Sequence, residues 1–209
     1  MDTRHDEEPQ MTQYFVNPEG PAKYHQLHAT IWGHDYEFRS SNGVFSQYRL
    51  DLGTSVLLRT LDPPVDRPAR FLDLGCGFGP IAVALATECP RARVDAIDVN
   101  ERAVELTAMN AKALGVADRV SASAPDQVPA DVRYDEIWSN PPIRIGKPAL
   151  HELLDTWLNR LTDDGVAHLV VAHNLGSDSL AKWLTGQGWQ VDRLGSAKGY
   201  RVFDVTRRH

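Results

Sequence analysis

The chain has 209 residues, 42% of them hydrophobic and 24% charged, which suits a folded core and excludes a disordered or fibrous chain. Its formal net charge is −6, so the chain as a whole lacks the basic footprint of a bulk nucleic-acid binder. The first ten residues, "MDTRHDEEPQ", hold four acids and one arginine and carry −3 of that total, which leaves a local basic face open.

In chain order, residues 1–12 read as an acidic tail, too polar for a signal peptide. Strand-like patterning begins at Tyr14. "YHQLHATIWG" and "YEFRSS" are β-prone runs with Gly33-His34-Asp35 as the hairpin turn. "SNGVFS" reverses the chain, "YRLDLGTSVLLRTL" has helical apolar spacing, and Pro63, Pro64 and Pro68 mark a linker. Strands and helices then alternate. "RFLDLG" is followed by "IAVALATE" with Pro80 in its first turn, and "ARVDAID" by "ERAVELTAMNAKALG" with Asn100 as N-cap and Gly115 as C-cap. "RVSASA" and "YDEIWSN" are strands, and Leu150, Leu153, Leu154, Trp157, Leu158 and Leu161 stripe the next helix. "GVAHLVVAHN" is a strand and "SDSLAKWLTGQG" a helix. "WQVDRLGSA" and "YRVFDVTR" close the chain as two adjacent, hence antiparallel, strands. The pattern predicts an α/β fold: a doubly wound, mostly parallel seven-stranded sheet with a terminal antiparallel strand, behind an amino-terminal β-hairpin and helix. The expected division is a tail over 1–12, a hairpin and helix extension over 13–66, and the α/β domain over 67–209. No apolar run approaches the ~18–20 residues of a membrane span. Cys76 and Cys89 give neither a disulfide framework nor metal-ligand spacing, so a cytoplasmic protein without metal or membrane partner is expected.

Chemistry concentrates at three places on one sheet edge. "FLDLGCGFGP" places Gly75, Gly77 and Gly79 on alternate positions at a strand-to-helix turn, with Asp73 two residues before the first. Ordered glycines cost backbone entropy, so the stretch calls for a sharp strand-to-helix turn, a ligand against the main chain, or both. Asp98 closes the second core strand, where an acid can accept both hydroxyls of a ribose. "SNPPI", Ser139 to Ile143, ends the fourth strand. All three lie at the carboxyl ends of parallel strands, where such sheets bind ligands.

"DLGCGFGP", "DVNERAVELTAMNA" and "SNPPIRIGK" resemble class I S-adenosylmethionine-dependent methyltransferases. More narrowly they resemble the branch that modifies the exocyclic amine of guanine in small-subunit ribosomal RNA, as do "NGVFSQYRLDLGTSVLL" and "SAKGYRV". The resemblance implies S-adenosylmethionine as cofactor and ribosomal RNA or the small ribosomal subunit as partner; the sequence carries no signal for oligomeric state. It implies that Asp73 and the backbone of Gly75 and Gly77 hold the cofactor's amino-acid end, Asp98 its ribose and Asp126, in "SASAPDQV", its adenine, with Gly79 and Val99 also cofactor-binding. Asn140, Pro141 and Pro142 would be catalytic, with Asn140 also bordering the cofactor. The Asn140 side-chain oxygen and the Pro141 carbonyl would accept the two hydrogens of the substrate amine and stabilise the charge that develops on it.

Ile143 stands where relatives acting on adenine or glutamine commonly place an aromatic residue. Phe45, Ser46, Asp51 and Thr54 match the segment that covers the cofactor and borders the acceptor pocket; Phe45 reads more as core than as a site residue, and Asp51 also reads as a helix-start acid. Arg144, Lys147, Lys198 and Arg201 are candidate phosphate contacts or solvated cations. His173 replaces a lysine common in relatives, and Tyr200 reads as either core or base-flanking. Longer members of the branch carry a second, degenerate copy of the domain that this chain lacks. The readings held beside guanine methylation are methyl transfer to adenine, protein glutamine or a small heterocycle, a non-catalytic RNA-binding module, and a nicotinamide oxidoreductase. The G-x-G-x-G spacing and Asn-Pro-Pro speak against the last.

Overall fold

The computed structural model describes residues 20–208. The expected tail and the start of strand patterning at Tyr14 lie outside the described residues. β1 (Tyr24–Ile31) and β2 (His34–Ser41) form an antiparallel hairpin, paired from Tyr24↔Ser41 to Ile31↔His34. Its turn is Trp32-Gly33, not Gly33-His34-Asp35. Both turn residues have positive φ, 48° and 84°, the pair of left-handed residues that matches strand twist. Trp32 is held there because its ring meets Trp138 edge-on at 5.8 Å and its Nε1 donates to the Leu61 carbonyl at 2.9 Å.

α1 (Leu52–Thr60) follows, N-capped by Asp51, whose carboxylate accepts from the Thr54 N–H. The large sheet contains β3 (Arg70–Leu74), β4 (Arg93–Ile97), β5 (Val120–Ser123), β6 (Tyr134–Ser139), β7 (Leu161–Ala172), β8 (Trp189–Ala197) and β9 (Tyr200–Arg207). Their order across the sheet is β5-β4-β3-β6-β7-β9-β8. The strands from β5 to β7 pair in parallel, and β9 runs antiparallel between β7 and β8. α2 (Pro80–Glu88), α3 (Glu101–Ala113), α4 (Lys147–Leu158) and α5 (Ser177–Gly186) complete the two layers. Each central strand feeds both faces: Phe71, Val94 and Trp138 pack with α1, α2, α3 and the hairpin, while Leu72, Leu74 and Ile137 pack with α4 and α5.

Leu161 departs from the expected α4 stripe: α4 stops at Leu158, and Leu161 is the first residue of β7, buried opposite Tyr134. Its spacing from Trp157 suits a helix, but the Asn159-Arg160 turn carries it into the sheet with its burial unchanged. Gly115, expected as a C-cap, is the left-handed residue after the cap Leu114. Asn110 on α3, 1% exposed, ties three parts of the fold together. Its side chain accepts from Arg39 N at 2.8 Å and donates to the Arg39 and Phe78 carbonyls at 2.8 and 2.7 Å. The hairpin and the glycine turn are thereby fastened to one helix. Among the described residues, no helix is long and apolar enough to cross a membrane.

Gly79 caps α2 with φ +86°, and a Cβ there would lie 2.9 Å from both Thr107 Cγ2 and Thr107 Oγ1. Thr107 is fully buried, so it has no room to retreat. Gly79→Ala should therefore destabilise the fold by about 2–4 kcal/mol, read as a lower urea midpoint at unchanged slope.

Candidate functional site

β4, β3 and β6 are neighbours, so the turns after Leu74, Ile97 and Ser139 meet at one sheet edge. The N–H groups of Gly75 and Cys76 both donate to the Ile97 carbonyl, at 2.9 and 3.0 Å, which swings the turn across the end of β4. Ser139 Oγ donates to the Leu74 carbonyl at 2.7 Å and fastens the end of β6 to the same turn.

The three glycines have different reasons to be glycine. Gly75 (φ +80°) and Gly77 (φ +59°) would carry a Cβ into open space, and both line a cavity at this edge. Gly79 packs on Thr107 and does not line it. A ligand can approach the main chain at the first two; the third serves packing.

The cavity runs from this turn to the end of β6. Asp98 and Val99 line it on one side, Asn140, Pro141, Pro142, Ile143 and Arg144 on the other, and Phe45, Ser46, Asp51 and Thr54 from the upstream segment. The anticipated cluster is thus brought together across 99 residues of sequence. Asp98 Oδ2 accepts from Gly77 N at 3.0 Å and Oδ1 from Asn100 N at 2.9 Å, so both oxygens have a fixed direction. Burial pushes the Asp98 carboxyl above its ordinary range, opposed by the Asn100, Gly77 and Val99 N–H groups.

Asn140 Nδ2 donates to Asp51 Oδ2 at 2.6 Å and to Thr54 Oγ1 at 3.2 Å. Its Oδ1 has no partner among the described residues. Pro142, with φ −75° and ψ 73°, is the centre of an inverse γ-turn in which Ile143 N donates to the Pro141 carbonyl at 2.8 Å. One lone pair of that carbonyl remains available.

Asp73 departs from expectation. It is fully buried and does not line the cavity; Oδ2 accepts from Ala82 N at 2.9 Å, pinning the first turn of α2, and Oδ1 has no partner among the described residues. As a strand residue it points into the layer beneath the turn, so direct contact with a ligand's ammonium is replaced by support of the turn. Burial raises its pKa to about 7, the Ala82 N–H opposing and the Asp98 charge adding to the rise. The native state thus holds a proton that the unfolded chain releases near pH 4. The stability this supplies is full below about pH 4 and is lost as pH rises to about 7, a change on the order of a few kcal/mol. Urea unfolding of the ligand-free protein at pH 5 to 8 should show that decline, and Asp73→Asn should flatten it. His168 acts in the same direction at higher pH. Burial opposes its charge, but its hydrogen bond to Asp204 (2.6 Å) and the nearby Glu136 carboxylate (3.7 Å) outweigh this and raise its pKa.

Asp126 is exposed and does not line the cavity, because Pro125 opens a tight turn (Pro125–Gln127) that rotates it outward; Pro125 itself is a lining residue. Lys147 reaches Ser179 Oγ at 3.3 Å and Arg201 pairs with Asp178, and neither lines the cavity. Lys198, at the β8–β9 turn with φ +49°, borders a separate depression with His173 and Asn174 that adjoins the cavity through Ala172 and Tyr200. Tyr200 is half-buried and lines both.

Gly53 was missed. A Cβ there would lie 2.8 Å from Tyr200 Cε1, 3.0 Å from Asp51 Oδ2 and 3.1 Å from Asn140 Nδ2. A glycine in the first turn of a helix is a poor helix former, and "LDLGTS" carried that signal of close approach.

Residues 35–204 match the family described as methyltransferase small domain. The uncharacterized protein YbxB of Bacillus subtilis (strain 168) is 33% identical over 176 residues, covering 83% of this chain and 87% of its own. Ribosomal RNA small subunit methyltransferase C of Citrobacter koseri is 40% identical over 187 residues, covering 85% of this chain and 53% of its own, so the chain spans about half the length of that relative. Among solved structures, the T. thermophilus 16S rRNA N2 G1207 methyltransferase, in complex with AdoMet and guanosine, aligns with a TM-score of 0.75 at 24% identity. That alignment covers 91% of this chain and 52% of the other, and shares the fold.

Proposed function

The chain belongs to the methyltransferase small domain family, and on that premise we propose that it transfers the methyl group of S-adenosylmethionine to the N2 amine of guanine in small-subunit ribosomal RNA, in the cytoplasm. One observation carries the reading. Asn140 turns its amino edge to Asp51 and Thr54, which leaves its carbonyl oxygen for a ligand beside the Pro141 carbonyl.

The residues fit the cofactor. Gly75 and Gly77 border open space that any Cβ would fill, and Asp98 offers two carboxylate oxygens on the same cavity. The sulfonium group, when bound, supplies an electrophilic methyl. Asp98 would accept the ribose hydroxyls, and the main chain at Gly75 and Gly77 would face the amino-acid end.

The acceptor side follows from amine chemistry. An exocyclic amine on a purine is a weak nucleophile because its lone pair is delocalised into the ring. Asn140 Oδ1 and the Pro141 carbonyl, each accepting one of its hydrogens, favour the pyramidal amine and stabilise the positive charge that grows on it. Both acceptors are held in place beforehand, the amide by Asp51 and the carbonyl by the Pro142 γ-turn, so little reorganisation is needed. The methylated, cationic amine then loses a proton to solvent, and no strong base is required. Ile143 and Arg144 both line the cavity; Ile143 would give an aliphatic wall beside the acceptor, and Arg144 would meet a phosphate next to the target base.

The test is radiolabelled methyl transfer from S-adenosylmethionine to total RNA, small-subunit particles and protein from a strain lacking the gene, followed by nucleoside mass spectrometry. N2-methylguanosine in small-subunit RNA is expected. Label in adenine, in protein or in no acceptor overturns the guanine assignment.

A further inference from the structure

We propose that Asp51 is a positioning residue for methyl transfer: its carboxylate sets the orientation of the Asn140 amide, so that the carbonyl edge and not the amino edge meets the acceptor. The inference rests on the transfer reading above and adds to it a residue 89 positions upstream of the one it controls.

An asparagine amide has two orientations of almost identical shape, exchanged by swapping oxygen and nitrogen, and only its hydrogen-bond partners choose between them. In one, Asn140 presents an acceptor to the substrate amine. In the other it presents a second donor, and the site cannot hold an NH2 group. Thr54 Oγ1, at 3.2 Å, cannot decide, because a hydroxyl both donates and accepts. A carboxylate only accepts. Asp51 Oδ2, at 2.6 Å from Nδ2, would face the amide oxygen at the same distance if the amide turned over. A hydrogen bond to a charged partner biases such a choice by roughly 10- to 100-fold.

Asp51 is itself held rigidly. The same oxygen, Oδ2, caps α1 by accepting from Thr54 N at 3.1 Å. Gly53 makes room for the arrangement, since a Cβ there would crowd Tyr200, Asp51 and Asn140 together. The helix start that reads locally as a simple cap is therefore also the device that selects one face of a side chain on β6's end.

The two roles separate by mutation. Asp51→Ser keeps a capping oxygen but withdraws the acceptor from Asn140. Asp51→Asn offers one neutral oxygen to both donors. Asp51→Ser should lower the single-turnover rate by about 10- to 100-fold, while S-adenosylhomocysteine affinity stays within about twofold and the thermal midpoint within a few degrees. Asp51→Asn should recover part of that rate, since its neutral oxygen accepts more weakly. In the double variant Asp51→Ser/Asn140→Ala, the rate should equal that of Asn140→Ala alone, since Asp51 acts through Asn140. Full rate in Asp51→Ser, multiplying losses in the double variant, or an Asp51→Asn as slow as Asp51→Ser would each overturn the proposal. A readout independent of turnover is the side-chain amide NMR pair of Asn140, assigned by its absence in Asn140→Ala. It should shift and exchange faster with solvent in Asp51→Ser. If the wild-type protein methylates nothing, the function fails while this resonance still decides whether Asp51 holds the amide.

Discussion

Asn140→Ala is expected to slow methyl transfer by about 100-fold or more while leaving S-adenosylhomocysteine affinity within about twofold of wild type. Removing one preorganised group that meets developing charge costs about 10²- to 10³-fold elsewhere, and on the proposed reading the Asn140 oxygen is such a group. The loss should fall on the rate at saturating substrate and much less on binding, because the bond strengthens as the amine becomes cationic. The truncation also removes the donor that Asp51 and Thr54 receive. Asp51 and Thr54 both line the cavity, from which water can replace that donor, so stability should change little. Single-turnover transfer beside calorimetric titration separates the two effects. An Asn140→Ala protein with wild-type turnover would remove the acceptor assignment altogether.

Asp98→Ala is expected to do the reverse: to weaken cofactor affinity by about 100-fold or more while sparing the transfer rate at saturation. Two hydroxyls on one carboxylate are two charge-assisted bonds, each about 1.5–3 kcal/mol. The substitution also releases Gly77 N, so the glycine turn loses the anchor that shapes its open side. Titration of S-adenosylhomocysteine into the variant measures the loss directly. Unchanged affinity would mean that the carboxylate serves only to hold the turn.

If both results hold, the two substitutions divide the cavity into a side that grips the cofactor and a side that handles the acceptor. The division follows from topology. Asp98 follows the end of β4 and Asn140 the end of β6, with β3 and its glycine turn between them.

Much of this was legible in one dimension because it depends on local periodicity. Alternating apolar runs and helical stripes announce strands and helices whatever they pack against, and their alternation implies a parallel sheet with ligands at its carboxyl edge. The placement of Gly75, Gly77, Asp98 and Asn140 at that edge follows from the pattern, since a residue just past the end of a parallel strand has no other edge to occupy; the roles expected of them rest on the resemblance. Asn100 as N-cap of α3 was legible for the same reason, its partner Arg102 N being two residues away.

What the pattern left undecided needed the third dimension. Asp73 and Gly75 are two residues apart, yet one is sealed under the turn and the other faces the cavity, because the strand ends between them. Leu161 fits a helical stripe and lies in a sheet, because burial is common to both elements and the turn at Asn159 chose between them. Asp126 is turned outward by its proline, and Gly79 answers to Thr107 on another helix. The hydrogen bond from Asn140 to Asp51 spans 89 residues and has no periodicity to betray it. Spacing along a chain records which face a residue takes on its own element. Which atoms then meet across elements is set by packing, and packing alone placed a carboxylate behind Asn140.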